Sequence, residues 1–291
     1  MNKSIDHYLY DLDVDLRIGS LPKTPDQPGQ WTMQMDLDLR KIDRQLAFAQ
    51  GKDDLIIRIR RPVLGLSSFD IKSYCPGVKA LFLQECYVAF EDIPDLEYIH
   101  IGDLNRTSDL ANNRKLKYVS TGPGEQLRSV HLLEQLETLS FMGPLHKLSR
   151  TRDIHELFSG LLNLRRLSVV RPGIESLDFL PHIRLEALGL YYARELINLD
   201  RLKDFKDALR FFSLWNAKRI VDMSPVYDLP NIEYFSIKGC SHIDTLSFIK
   251  EYKNLDFCNI LDTPILDRDV RSYTERMRGI LVVDPMKKSY Y

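Results

Sequence analysis

The sequence predicts an α/β solenoid of short repeats. Parallel strands should line its concave face, with an irregular, short-helical convex side and an antiparallel β cap at the N-terminus. A six-residue pattern recurs along the chain: an aliphatic residue, two variable residues, an apolar one, a variable one and a second apolar one, as in LEALGL from Leu185. Successive copies begin 18 to 28 residues apart, a period that suits one strand and one return segment. No single copy can bury its apolar face, so stacked copies must share one core.

The copies run through most of the chain. Within LEALGL, Leu185, Leu188 and Leu190 should point inward and the residues between them outward, because a strand alternates its faces. The longest step separates the copies at Leu136 and Leu164, which predicts an insertion around residues 146–162. Helical spacing there links Ile154, Leu157, Phe158 and Leu161. The copies are VKALFL from Val78, LEYIHI from Leu96, LKYVST from Leu116, LETLSF from Leu136, LRRLSV from Leu164, LEALGL from Leu185, LRFFSL from Leu209, IEYFSI from Ile232 and LDFCNI from Leu255, with weaker ones near Leu55 and from Met277.

The segment IVDMSPVYDLPNIEYFSIKGC resembles the 22-residue repeat of internalin-like and SDS22-like leucine-rich-repeat proteins. The Ser224-Pro225 pair and an asparagine before the next strand (Asn163, Asn231 and Asn254) lie where that class has them. The resemblance covers roughly residues 78 to 283 and implies non-catalytic recognition of a protein partner through the concave face. One departure concerns the ladder asparagine, eight residues after the first leucine. Since that position reads Cys86, Gly124, Ala193, Ala217, Cys240 and Thr263, we expect an irregular ladder with backbone or water partners.

Three regions follow along the chain. Residues 1–54 should form the cap, because two stretches of alternating apolar residues flank GSLPKTPDQPGQ and a short helical stretch follows at 40–50. Residues 55–283 should form the solenoid of about ten repeats, with a helix at 267–279 before its last strand. Residues 284–291 should form a C-terminal tail.

Composition narrows the function classes. The formal net charge of −1 gives no overall attraction to nucleic acid, and Arg58, Arg60 and Arg61 are better explained by ion pairs with nearby acids such as Asp53 and Asp54. No apolar stretch approaches 18 residues, and the N-terminus lacks a signal-peptide pattern, which predicts a cytoplasmic protein without a membrane span. The four cysteines are not spaced like zinc ligands, so we expect no metal or cofactor.

Catalytic patterns are missing from the sequence. None of the seven histidines belongs to an HExxH motif, and TGPGEQ at 121–126 lacks the Lys-Ser/Thr of a phosphate-binding loop. We therefore expect no enzymatic activity, and a small-molecule ligand is disfavoured.

The outward strand positions supply the main candidate site. A central column of small polar residues, such as Ser213 and Ser236, lies between columns that carry aromatic rings. Exposed aromatic residues are typical anchors of protein interfaces. The alternative is that neighbouring rings simply stack across the sheet. The predicted partner-binding residues are Tyr191, Phe211, Trp215, Tyr234, Lys238, Phe257, Arg166, Tyr98 and Tyr118.

The N-terminal cap supplies a second candidate. If its two strands pair in register, five carboxylates share one surface that would attract a basic partner: Asp11, Asp13, Asp15, Asp36 and Asp38. The alternative is the solvated face of a cap whose other face is apolar.

The predicted function is recognition of a protein partner, with an inhibitor or immunity protein as the favoured form. The alternatives are a self-associating scaffold and a secreted host-directed effector without an enzymatic domain. The sequence does not identify the partner or the oligomeric state.

Overall fold

A computed structural model describes residues 14–15, 33–36, 44–45, 49, 55–60, 68–69, 77–84, 87–88, 93–102, 107–122, 126–147, 153–266 and 280–285. The chain divides into two compact units. Residues 1–141 and 148–150 form unit 1, and residues 142–147 and 151–291 form unit 2. The division falls within the longest step between repeats. The predicted region boundaries at 54 and 283 remain predictions.

Unit 1 is built on parallel strands in sequence order. Its strands are β1 (Val14–Asp15), β2 (Met33–Asp36), β3 (Leu55–Arg60), β4 (Ser68–Phe69), β5 (Ala80–Gln84), β6 (Tyr87–Val88), β7 (Tyr98–Gly102), β8 (Thr107–Asp109), β9 (Tyr118–Thr121), β10 (Gln126–Arg128) and β11 (Thr138–Met142). The main sheet has the order β1-β2-β3-β5-β7-β9-β11, and every pair except β1 with β2 is parallel. On the return segments, β4 pairs with β6 and β8 with β10, both parallel. The sequence had predicted an irregular or helical return there. A 3-10 turn covers Val130–Leu132.

Unit 2 repeats the same plan more regularly. Its elements are the helix α1 (Ile154–Ser159) and the strands β12 (Arg166–Val170), β13 (Ala187–Tyr191), β14 (Phe211–Trp215), β15 (Tyr234–Lys238), β16 (Phe257–Thr263) and β17 (Ile280–Pro285). Each strand pairs in parallel with the next. The return segments contain 3-10 turns at Leu145–Lys147, Asp200–Asp204, Ser224–Val226 and Ser247–Lys250.

The core of each unit consists of the inward residues of the pattern. In β13 and the two residues before it, Leu185, Leu188 and Leu190 are fully buried, as predicted. Return segments add aromatic side chains, and the Phe235 ring lies 5.5 Å from that of Phe248 and 5.8 Å from that of Tyr252. Burial of these rings adds to the stability that the leucines provide, because each ring removes a large apolar area from water.

The predicted irregular ladder is found at three of its positions. The Cys240 thiol donates to the backbone oxygens of Leu214 and Lys238, at 3.3 and 3.4 Å. The Thr263 hydroxyl donates to Leu261 O and accepts from Cys240 N. At Ala193 the amide N–H itself reaches the backbone oxygen of Trp215. Cys240 is thus a structural residue, and Cys258 is fully buried in the core.

The insertion folds as the predicted helix. Asp153 caps α1, because its carboxylate accepts hydrogen bonds from the amides of His155 and Glu156 at 2.6 and 3.1 Å. The apolar residues Leu157, Phe158 and Leu161 are buried beneath it. The described part of the insertion from Asp153 onward is therefore packed into unit 2.

The first and last strands refine two predictions. β1 pairs antiparallel with β2, with Val14 opposite Met35, and β2 pairs in parallel with β3. The second strand of the expected hairpin therefore also belongs to the repeat sheet, and the capping role remains a prediction. Arg44, Gln45 and Ala49, within the stretch expected to be helical, have helical backbone. The helix expected at 267–279 lies outside the described residues.

The sequence pattern predicted the last repeat one residue too early. Ile280 aligns with Phe257, an outward position, although the pattern from Met277 made it inward. The strand ILVV is apolar throughout, so its pattern does not define a frame.

Candidate functional site

The outward residues of unit 2 lie in rows that cross its strands. The strand register aligns Arg166, Ala187, Phe211, Tyr234 and Phe257 in one row. It also aligns Trp215 with Lys238 in the third outward row, at the fifth position of each strand. We call the outward surface formed by Tyr191, Phe211, Trp215, Tyr234 and Phe257, with Lys238, the aromatic face.

Three rings of the first row form a continuous stack. The Phe211 and Tyr234 centroids are 4.1 Å apart with 6° between their planes, and those of Tyr234 and Phe257 are 4.5 Å apart with 12°. This spacing follows the distance between neighbouring strands, so the sheet itself holds the rings in contact. All three rings are partly exposed. The stacking alternative is therefore correct for this row, but stacking does not remove the rings from solvent.

The third row is an edge-to-face pair with a cation beside it. Tyr191 and Trp215 are 4.8 Å apart with 83° between their planes. The Lys238 ammonium lies 5.9 Å from the Trp215 centroid, within the range of a cation–π contact, and 3.9 Å from the Asp262 carboxylate. This row therefore combines two aromatic rings with one positive charge.

The small residues of the central column are buried, although strand alternation places them on the outward face. Ser168, Ser213 and Ser236 are 6%, 2% and 0% exposed. The Trp215 indole N–H donates to the Ser236 hydroxyl at 3.4 Å. Partial burial raises the pKa of Tyr234, and a hydrogen bond with Ser236 acts in the opposite direction. Ser236 thus connects the two aromatic rows from below.

Gly189 has a similar supporting role that the sequence reasoning missed. A Cβ atom built on Gly189 would lie 2.9 Å from Cε2 and 3.0 Å from the hydroxyl oxygen of Tyr191. The hydroxyl end of the Tyr191 ring therefore lies over the glycine. No sequence signal other than the lack of a side chain pointed to this contact.

The strand ends carry another feature missed from the sequence. Five successive repeats of unit 2 place a residue with positive φ after the fifth strand position: Arg171, Tyr192, Asn216, Gly239 and Asp262. Positive φ is uncommon for a bulky side chain such as that of Tyr192. Tyr192 is also 41% exposed and adjoins the aromatic face.

Alternating charges border the strand starts in both units. Lys117 pairs with Glu97 at 2.8 Å, Arg165 with Glu186 at 3.2 Å and Arg210 with Glu233 at 2.7 Å. Each charged residue directly precedes a strand, so neighbouring repeats bring opposite charges together. This alternation can be seen in the sequence, but it was not recognised.

Two predicted binding residues in unit 1 are buried. Tyr98 and Tyr118 are 7% and 6% exposed, and their rings stack at 4.4 Å. They form a cluster with Ile56 and Ala80, against which Phe82 packs. Desolvation raises the pKa of Tyr98 well above its usual value. The expectation that these tyrosines form an exposed surface was therefore wrong.

The acidic patch falls largely outside the described residues. Asp11, Asp13 and Asp38 are not described, and the strand register aligns Asp15 with Gln34 and Asp36 with Arg58. Arg58 on β3 is thus the register neighbour of Asp36 on β2. The patch remains a prediction.

Among the residues described by the structure, no three potential metal ligands of the His, Cys, Asp or Glu type are grouped to hold a metal. The same part of the chain contains no helix with the length and apolarity needed to cross a bilayer.

These features define the fold as that of leucine-rich-repeat proteins, in which stacked repeats create extended binding surfaces. A solved structure with the same fold is internalin InlF of Listeria monocytogenes str. 4b F2365, at a TM-score of 0.51 and 14% sequence identity. The match covers 75% of this chain and 67% of the internalin chain. Comparisons of the sequence with protein-family models and with curated proteins found no match.

Proposed function

We propose that the chain is a non-catalytic recognition protein that binds a protein partner through the aromatic face of unit 2. The observation that carries this proposal is the partial exposure of five large aromatic side chains on one side of the sheet. Two of them have fixed supports, since Trp215 donates a hydrogen bond to Ser236 and Tyr191 lies over Gly189. Such residues offer contact area at a low cost in conformational entropy, because they are already fixed before binding.

The form of the function that we favour is an inhibitor or immunity protein in the cytoplasm. Cys240 and Cys258 are free, buried thiols, which suits a reducing compartment. The likeness in fold to an internalin supports a binding role in general and does not select the partner.

The test is a pull-down from native lysate with the wild type and a Tyr191→Ala, Trp215→Ala, Tyr234→Ala variant. A matched control replaces exposed apolar residues elsewhere in unit 2, as Leu162→Ala, Ile197→Ala, Val221→Ala. We expect the wild type and the control to retain a common protein that the aromatic variant loses, with all three chains equally folded by circular dichroism. Equal retention by the aromatic variant would contradict the proposal.

Self-association is tested in parallel. Light scattering should give a monomer for the wild type under the pull-down conditions. If the wild type forms a stable oligomer and the aromatic variant is monomeric, the face serves self-association, and a scaffold function takes the place of partner recognition.

A further inference from the structure

Within the described residues, the two ends of the aromatic face carry opposite charges without ion-pair partners. At the β12 end, Arg166 and the exposed Arg171 have no ion-pair partner among the described residues, while the neighbouring Arg165 is paired with Glu186. At the β16 end, the exposed Asp256 likewise has no ion-pair partner within the described part of unit 2.

Two further carboxylates lie near Asp256, each with a cation beside it. Glu233 lies one strand away, aligned through the hydrogen bond from Asp256 N to Glu233 O, and its own carboxylate is paired with Arg210. Asp262 follows at the other end of β16, and Lys238 meets it only at 3.9 Å. The residues that directly precede successive strands alternate in charge as far as Glu233. The alternation ends at Asp256, because Glu233 and Asp256 are both acidic.

The two charged ends lie on a line that crosses the strands of unit 2. From β12 to β16 there are four strand spacings, or about 19 Å at roughly 4.8 Å each. Phe211, Trp215 and Tyr234 lie between the two charged ends. An extended chain of about six residues covers the same distance, at roughly 3.3 Å per residue.

We propose that the aromatic face binds an extended polypeptide segment that crosses the strands, with an acidic residue near Arg166, apolar or aromatic residues on the rings, and a basic residue near Asp256. Arg171, at the other end of β12, adds positive charge to the same side of the face. The inference rests on the proposed function, because it names the partner chemistry of the same face. Complementary charge at both ends orients the segment, and the rings supply the contact area.

The test uses a phage-displayed library of random 12-residue peptides, selected on the immobilised full-length chain. The wild type should enrich peptides in which an acid and a base stand about six residues apart and flank apolar residues. Arg166→Glu with Arg171→Glu should make the selected peptides basic at both ends, and Asp256→Lys should make them acidic at both ends. Lys203→Glu, an exposed charge reversal in the 3-10 turn at Asp200–Asp204, should leave the selected composition unchanged.

A peptide selected by the wild type should bind about three- to tenfold more weakly to either charge-reversed variant, the size expected when one or two exposed ion pairs become repulsive. Selection of the same peptides by all variants, or no enrichment by the wild type, would overturn the inference. If the aromatic triple variant loses the protein partner, but the charge-reversed variants select the same peptides as the wild type, only this inference fails. If that variant keeps the partner, the proposed function fails.

Discussion

Replacing Gly189 by alanine should separate the stability of unit 2 from the arrangement of its aromatic face. Gly189 does not have positive φ, so the backbone accepts alanine, and the lower entropy of the unfolded chain should stabilise the protein by about 0.4–1 kcal/mol. Against this, the new Cβ would lie 2.9 Å from Tyr191 Cε2, so the ring must leave its position. Loss of the edge-to-face contact between Tyr191 and Trp215 should cost about 0.5–1.5 kcal/mol.

The two effects nearly cancel in the wild-type background. In a Tyr191→Ala background the clash is gone, so Gly189→Ala should stabilise by the full amount of about 0.4–1 kcal/mol. The coupling energy of the double-mutant cycle should therefore be about 0.5–1.5 kcal/mol.

Urea unfolding followed by tryptophan fluorescence is a suitable assay. The chain has two tryptophans, and Trp31→Phe leaves Trp215 as the sole reporter within unit 2. This matters because the two compact units need not unfold together. Additive effects of Gly189→Ala and Tyr191→Ala would refute the packing of the ring over the glycine.

Three further predictions concern stability. Phe235→Ala removes a fully buried ring that contacts Phe248 and Tyr252, and should lower the free energy of unfolding by about 3–5 kcal/mol in urea titrations, whereas a loss below about 1 kcal/mol would contradict its place in the core. Asp153→Ala removes the cap of α1 and should cost about 0.5–2 kcal/mol, while Asp153→Asn should restore most of it; equal losses in both variants would argue against capping. Burial raises the pKa of Cys240 to about 11 and that of Cys258 to about 12, from 9.0 in the unfolded chain, so the native state holds these protons more tightly. The stabilisation that these two protonated thiols provide should therefore be fully present below pH 9. The free energy of unfolding should fall between pH 9 and 12, by at most about 1.4 kcal/mol per pH unit for each thiol, and less steeply in Cys258→Val. Equal pH profiles of the wild type and Cys258→Val would contradict this origin.

The repeat pattern predicted the strands well because buried leucines recur with a fixed spacing. Leu185, Leu188 and Leu190 could be assigned to the core from alternation alone. The helix in the insertion was also predictable, since its apolar residues follow a helical period and Asp153 precedes it.

Alternation gives the face from which a side chain leaves, but not its final exposure. Tyr98 and Tyr118 leave the outward face and are nevertheless buried, because they stack on each other and on Ile56 and Ala80. Ile56 belongs to a degenerate repeat whose register was not defined by the sequence.

The fine structure of the aromatic face was not predictable for a related reason. Whether a ring stands over its own strand or over a neighbour depends on its rotamer and on the space beside it. Gly189 provides that space for Tyr191, and Ser236 provides the hydrogen-bond acceptor for Trp215. Such contacts appear only when the strands are aligned in three dimensions.

Site-specific photocrosslinking in native lysate tests the central claim most directly. A benzophenone side chain at Phe211, on the aromatic face, should form a covalent adduct with a protein partner, and excess wild-type chain should suppress it where the aromatic triple variant does not. The same side chain at Lys203, in the 3-10 turn, should form no such adduct. Equal adducts from both positions, or an adduct from Lys203 alone, would contradict recognition through the aromatic face.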